Sequence, residues 1–208
     1  MQFVDNFLGE VAEVLLAIAR DDVERAVDVL AATRDAGGRV FVLGVGGSAA
    51  SGSHLVNDLR KLCRLEAYAP TDNVSELTAR VNDEGWSTVF EAWLRVSRIR
   101  KGDTLLVLSV GGGDAERNIS PNLVTALDVA REAGASIVGI VGRDGGHTAR
   151  MADACVIIPT VNPEHITPLT ESFHSVIGHA IVSHPKLKAA ATKWESATAG
   201  RQQSQQQQ

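Results

Sequence analysis

The chain has 208 residues, of which 44% are hydrophobic and 22% charged, and its formal net charge is −5. This composition suits one α/β domain with a substantial core. The acidic balance argues against a nucleic-acid-binding protein, which concentrates basic surface, and no stretch is long and apolar enough to span a membrane.

Residues 3–20 carry apolar side chains at helical spacing (Phe3, Phe7, Val11, Leu15 and Ile18). Asp5, Glu10 and Glu13 interrupt the segment and it has no basic start, so it is not read as a signal peptide. Residues 22–36 predict a second helix, stopped by Gly37-Gly38. The period then changes. Val40-Phe41-Val42-Leu43 reads as a strand, closed by Gly44-Val45-Gly46-Gly47-Ser48, with a helix expected over residues 49–62. A short strand follows at 65–68, then helices at 75–80 and 89–97, and a strongly apolar strand at 104–110. A second glycine-rich turn, a helix at 120–133, a strand at 136–141, a short helix at 147–152, a strand at 154–158 and a long helix at 167–183 complete the pattern. Apolar runs without alternation suit strands buried on both faces, and strand–helix alternation implies a parallel sheet covered by helices. The expected fold class is a three-layer αβα sandwich, flavodoxin- or Rossmann-like. It would form one domain over residues 1–195, with a helical hairpin at 1–36 and an α/β core at 37–195. Residues 196–208, glutamine-rich and without apolar residues after Ala199, predict a disordered tail.

The basic runs Arg60, Lys61, Arg64 and Arg95, Arg98, Arg100, Lys101 are read as solvated helix ends. Cys63 and Cys155 sit among apolar residues outside any CxxC pair. They read as reduced thiols, which leads to the expectation of a cytoplasmic protein.

Two strand ends carry glycine turns leading into helices. At Gly44-Val45-Gly46-Gly47-Ser48, glycines allow close backbone approach, and the following helix directs N–H groups and its positive end at a ligand. At Ser109-Val110-Gly111-Gly112-Gly113-Asp114 the turn runs on to Ser120-Pro121-Asn122, where a hydroxyl cap followed by proline starts a helix. Ligand crevices of open α/β sheets lie at such strand ends. Neither turn is read as a dinucleotide fingerprint or a GxxxxGK[ST] loop, so a monophosphate and no nucleotide cofactor is expected. Gly46, Gly47, Ser48, Ser109, Gly111 and Ser120 are the candidate phosphate contacts.

His54 and Asp58, four apart, share one face of the first of these helices. Glu171, His174 and His179 lie on the largely apolar last helix. Two readings stay open for each: a surface pair or satisfied core histidines, or groups for general acid/base work or a zinc-type site. Glu171 and His179 are eight residues apart, a helical rise of about 12 Å. One small site would need a distorted helix or residues from two subunits, and the second is the expectation.

Gly44 to Ser48, followed by His54 and Asp58, resembles the opening motif of the sedoheptulose 7-phosphate (phosphoheptose) isomerases of the SIS fold: GNGGS, then histidine, then glutamate. Asn82-Asp83 is similar to the family's Asn-Asp, Ser120-Pro121-Asn122 to its Ser-Ala-Asn, and Gly142-Arg143-Asp144-Gly145-Gly146 to its Gly-Lys-Asp-Gly-Gly. The stretch from Glu171 to His179 resembles its Gln-Glu-x-His-x4-His segment. The resemblance implies aldose–ketose isomerisation of sedoheptulose 7-phosphate to a heptose 7-phosphate, towards activated heptose. It implies a homotetramer with sites between subunits and, in some members, Zn2+. Carried over, Asp58, His179 and Glu171 become catalytic, Asp83 joins the substrate contacts, and His54, Asp58, Glu171 and His179 become metal ligands. The sequence departs from the family at Val45, Asp58 and Glu171, and in the loop from Ser109 to Asp114, where hydroxyls are lost and a carboxylate is gained. Asp58 is one methylene shorter than glutamate, which moves a base by about 1 Å. Two other expectations fit the resemblance: a non-catalytic SIS module that binds a phosphosugar or protein partner, and an isomerase or lyase of another phosphosugar.

Overall fold

The computed structural model describes residues 2–193. The tail expected at 196–208 lies outside the described residues. Among the described residues there are eight α-helices: α1 Gln2–Ala17, α2 Arg20–Asp35, α3 Gly47–Cys63, α4 Val74–Glu84, α5 Val89–Val96, α6 Pro121–Glu132, α7 Gly146–Met151 and α8 Ile166–Ser183. The strands are β1 Arg39–Leu43, β2 Glu66–Tyr68, β3 Thr104–Ser109, β4 Ser136–Val141 and β5 Ala154–Ile157. Strands and helices come in the predicted order, with ends displaced by a few residues.

All five strands are parallel, in the order β2-β1-β3-β4-β5. The strand side chains divide by parity, as a pleat requires. Val40, Val42, Leu106, Leu108, Val138 and Ile140 face one layer, which includes residues of α1, α2, α3 and α8. Phe41, Leu43, Leu105, Val107 and Ile137 face the other, built mainly by α5 and α6. The expected three-layer αβα sandwich is therefore the fold. The two opening helices form as expected, and α2 serves as a covering helix against β5, β4 and β1.

The order places a topological switch point at β1 and β3. The chain leaves β1 through α3 towards β2 and leaves β3 through α6 towards β4, so the two loops part and open a crevice at the carboxyl ends. Both glycine turns lie there. Cys63 is buried, Cys155 is half-buried, and both are free thiols.

Candidate active site

Gly46 stands immediately before α3 with φ 62° and ψ −126°, a conformation that favours glycine. It turns the chain so that Ser48, 2% exposed, enters α3 facing the sheet. On the other side of the crevice, Ser109 ends β3 and its Oγ accepts the Gly112 N–H at 3.0 Å. Ser120 differs from the expectation: its φ is 48° and its side chain makes no capping bond to α6. The left-handed backbone turns the hydroxyl away from the helix amides. Ser48, Ser109, Ser120 and Gly111 line one cleft of about 350 Å³, along with Val45, Arg117, Arg143, Asp144 and Arg150.

The glycine run after β3 has a second use. The Gly112 carbonyl accepts the Thr148 N–H at 2.9 Å and its hydroxyl at 2.7 Å, and the Gly113 carbonyl accepts the His147 N–H at 2.8 Å. A side chain at Gly112 would collide with the Gly145 carbonyl. Gly111 and Gly113 line the cleft and Gly112 does not; the Gly112 and Gly113 carbonyls hold α7 in place. Asp114, whose charge would oppose an anion, is turned onto its own loop. Its Oδ1 accepts the Glu116 and Arg117 N–H groups at 2.9 and 3.0 Å. Those amides, with the Arg117 charge, hold its pKa below the usual carboxylate range.

The ionisable cluster lies on the adjoining helices. α3 and α8 pack side by side, with Gly178 against Leu55, which brings His54, Asp58 and His179 together. His54 Nε2 and His179 Nε2 are 3.0 Å apart. Asp58 Oδ2 lies 3.3 Å from His54 Nε2 and 3.5 Å from His179 Nε2. The Asp58 side chain is 12% exposed and the two imidazoles 56% and 57%. Two imidazole nitrogens and one carboxylate oxygen within 4.8 Å of one another form a donor set that could hold a divalent metal ion. These three groups come together within one chain; the expectation of a second subunit rests on the spacing of Glu171 and His179.

Glu171 does not join them. The helical rise keeps it two turns away, and among the described residues the metal-capable group excludes it. Its carboxylate packs against Gly47, where a side chain would collide with it, at the cleft end of α3. Asp83 lies on the exposed face of α4, accepting an Asn82 amide hydrogen at 2.7 Å, and does not line the cleft of its own chain. His174, singled out with Glu171 and His179 but given no role, lines the same small pocket as the cluster.

The SIS domain family matches residues 4–142. A phosphoheptose isomerase from Paramagnetospirillum magneticum is 34% identical over 196 residues, 90% of this chain and 96% of that protein. The lincomycin biosynthesis protein LmbN from Streptomyces lincolnensis is 34% identical over 192 residues, 87% of this chain and 68% of that protein. The phosphoheptose isomerase GmhA from Neisseria gonorrhoeae superposes with a TM-score of 0.74 at 27% identity, covering 87% of this chain and 96% of that one. The family match, the sequence identities and the superposition agree, and the chain belongs to the SIS-domain family, among the relatives of the phosphoheptose isomerases.

Proposed function

We propose that the chain is an aldose–ketose phosphosugar isomerase that interconverts sedoheptulose 7-phosphate and a heptose 7-phosphate for activated-heptose synthesis. The observation that carries this reading is one helix serving two ends of a substrate. Ser48, in the first turn of α3, lines the cleft, and His54 and Asp58 of the same helix meet His179 further along. Six to ten residues of helix span roughly 9–15 Å, comparable to an extended seven-carbon sugar phosphate from phosphorus to carbonyl. The names of the relatives point to the same substrate.

In this reading the phosphate sits on Gly46, Gly47, Ser48, Ser109, Gly111 and Ser120. Asp58 lifts a proton from the carbon beside the carbonyl and returns it to the former carbonyl carbon, passing through an enediol. His179 moves the matching proton between the two oxygens, so no atom is gained or lost. His54, against His179, orients that ring. Glu171 works at the cleft end, on the sugar chain next to the phosphate. Zn2+ held by His54, Asp58 and His179 would supply Lewis-acid polarisation of the carbonyl.

The same proposal includes a cytoplasmic homotetramer with its sites at subunit boundaries. More than half of each imidazole is exposed. Asp83, exposed and outside its own cleft, would reach a neighbouring subunit's substrate. Location in the cytoplasm is supported by two free cysteines and, among the described residues, by the lack of a helix long and apolar enough to cross a membrane.

The test is turnover of sedoheptulose 7-phosphate in D2O, with product and deuterium incorporation followed by NMR. Wild type is expected to form the aldose and exchange one carbon-bound hydrogen. Asp58→Asn and His179→Ala are expected to lose about 10²–10⁴ in kcat. Phosphate binding without turnover of any ketose phosphate would leave the non-catalytic module instead. Metal analysis of the purified protein, with activity before and after chelation, tests Zn2+.

A further inference from the structure

The rim of the cleft is built differently from its hydroxyl floor. Arg117, Arg143 and Arg150 all line it. None is held in a close ion pair. Arg117 reaches Asp114 only at 3.8 Å, Arg150 acts on Asp114 only through space, and Arg143 has no hydrogen-bond or ion-pair partner among the described residues. The two carboxylates in the same lining are already committed. Asp114 accepts two amides of its own loop, and Asp144 accepts the Gly146 N–H at 3.2 Å. The rim therefore carries surplus positive charge in a chain whose net charge is −5, with guanidinium donors unspent.

Backbone contacts fix where these donors stand. The Gly112 and Gly113 carbonyls tie down the start of α7, the helix that carries Arg150. Arg143 occupies the left-handed region at φ 54°, a strained place for a non-glycine residue. Its side chain passes beside Gly111. Arg117 projects from the loop pinned by the Asp114–Ile119 bridge. A guanidinium is always charged and offers paired donors to two oxygens of a phosphate.

We propose that Arg143 and Arg150, with Arg117 above them, form a charge clamp that closes on a phosphate seated against Ser48, Ser109 and Ser120, so that this cleft selects its ligand by charge. The clamp rests on the phosphosugar reading and adds to it the residues that determine anion specificity, in the region where the sequence loses hydroxyls. It leaves the proton-transfer step to the α3–α8 cluster.

Calorimetric titration of the full chain with inorganic phosphate tests it, in wild type and in Arg143→Ala, Arg150→Ala, Arg143→Lys and Arg117→Ala. Phosphate affinity is expected to fall about tenfold in each of the first two. A smaller loss is expected in Arg143→Lys and Arg117→Ala, and wild-type affinity is expected to weaken with added sodium chloride. Circular dichroism identifies variants that fold, and Arg117→Ala, on an exposed loop, keeps the test alive if the others do not. Equal affinity in all folded proteins, or no phosphate binding by wild type, overturns the clamp. Arginine-dependent phosphate binding without sugar-phosphate turnover leaves the clamp and removes the isomerase. Turnover with KM unchanged in Arg143→Ala and Arg150→Ala does the reverse.

Discussion

His174 is 1% exposed, and its ring lies near the Ile140 and Ser109 carbonyls without a full hydrogen bond to either. Burial pushes its pKa down from 6.5 to about 4, the two carbonyls partly opposing the shift. The folded protein therefore keeps the ring neutral, while the unfolded chain takes up a proton below about pH 6.5. Between those values the unfolded state binds more protons, so stability falls as pH falls through the window and levels off below it. A shift of this size corresponds to about 3 kcal/mol. His174→Gln removes this contribution. Urea unfolding at pH 7.5 and 4.5 is expected to show wild type losing about 2 kcal/mol more than the variant. An equal loss in both proteins would mean that the ring is charged inside the fold. The sequence shows His174 beside Glu171 and His179 on one apolar helix, but helical spacing gives faces and not partners. The partner helix α3 is more than a hundred residues away in the chain, so only the fold shows that His179 meets His54 and Asp58. The helical rise between Glu171 and His179 was legible, but the resemblance placed both in one metal set, and it is the fold that leaves Glu171 out of the cluster.

At the scale of elements, the sheet is tied at the amino ends of β1 and β3 by one buried carboxylate. The Asp103 side chain is fully buried and accepts Arg39 N at 2.9 Å, Arg39 Nη2 at 2.7 Å and Arg100 N at 3.1 Å. Asp103→Ala leaves a half-buried guanidinium and two backbone donors without their acceptor. It is expected to cost about 3–5 kcal/mol in urea unfolding; a loss below about 1 kcal/mol would show that the pair contributes little to the sheet. The strands themselves were legible because parallel strands buried on both faces read as continuous apolar runs; β3 is buried throughout. Their neighbours were not, since no local pattern states that β1 lies between β2 and β3. The serines of the glycine turns were legible from their place at strand ends. The hydroxyl cap expected of Ser120 failed because the chain there is left-handed. The arginine rim went unread because its members lie at positions 117, 143 and 150, joined only by the packing of α7 on the loop after β3.

At the scale of the whole molecule, α1 carries more apolar surface than its own chain covers. Val14 is its one fully buried residue, while Phe3, Val4, Leu8, Leu15 and Leu16 are each between 53% and 74% exposed. Phe7 and Val11 pack inward against the core, so the helix is apolar on more than one side. A helix of that kind calls for a partner on its outer face. The occupant that fits is a second copy of the chain, since the proposed tetramer must also cover the exposed imidazoles and give Asp83 a cleft to serve. Light scattering on a sizing column is expected to give about four times the 22.1 kDa chain mass. Leu8→Glu with Leu16→Glu places two carboxylates in that interface and is expected to shift the protein towards monomer, with turnover falling in parallel. Neither side chain is buried within its own chain, so the circular dichroism spectrum is expected to stay unchanged. A wild-type monomer with full turnover would remove both the tetramer and the shared site. A tetramer that survives both substitutions would mean that the subunits meet on another face.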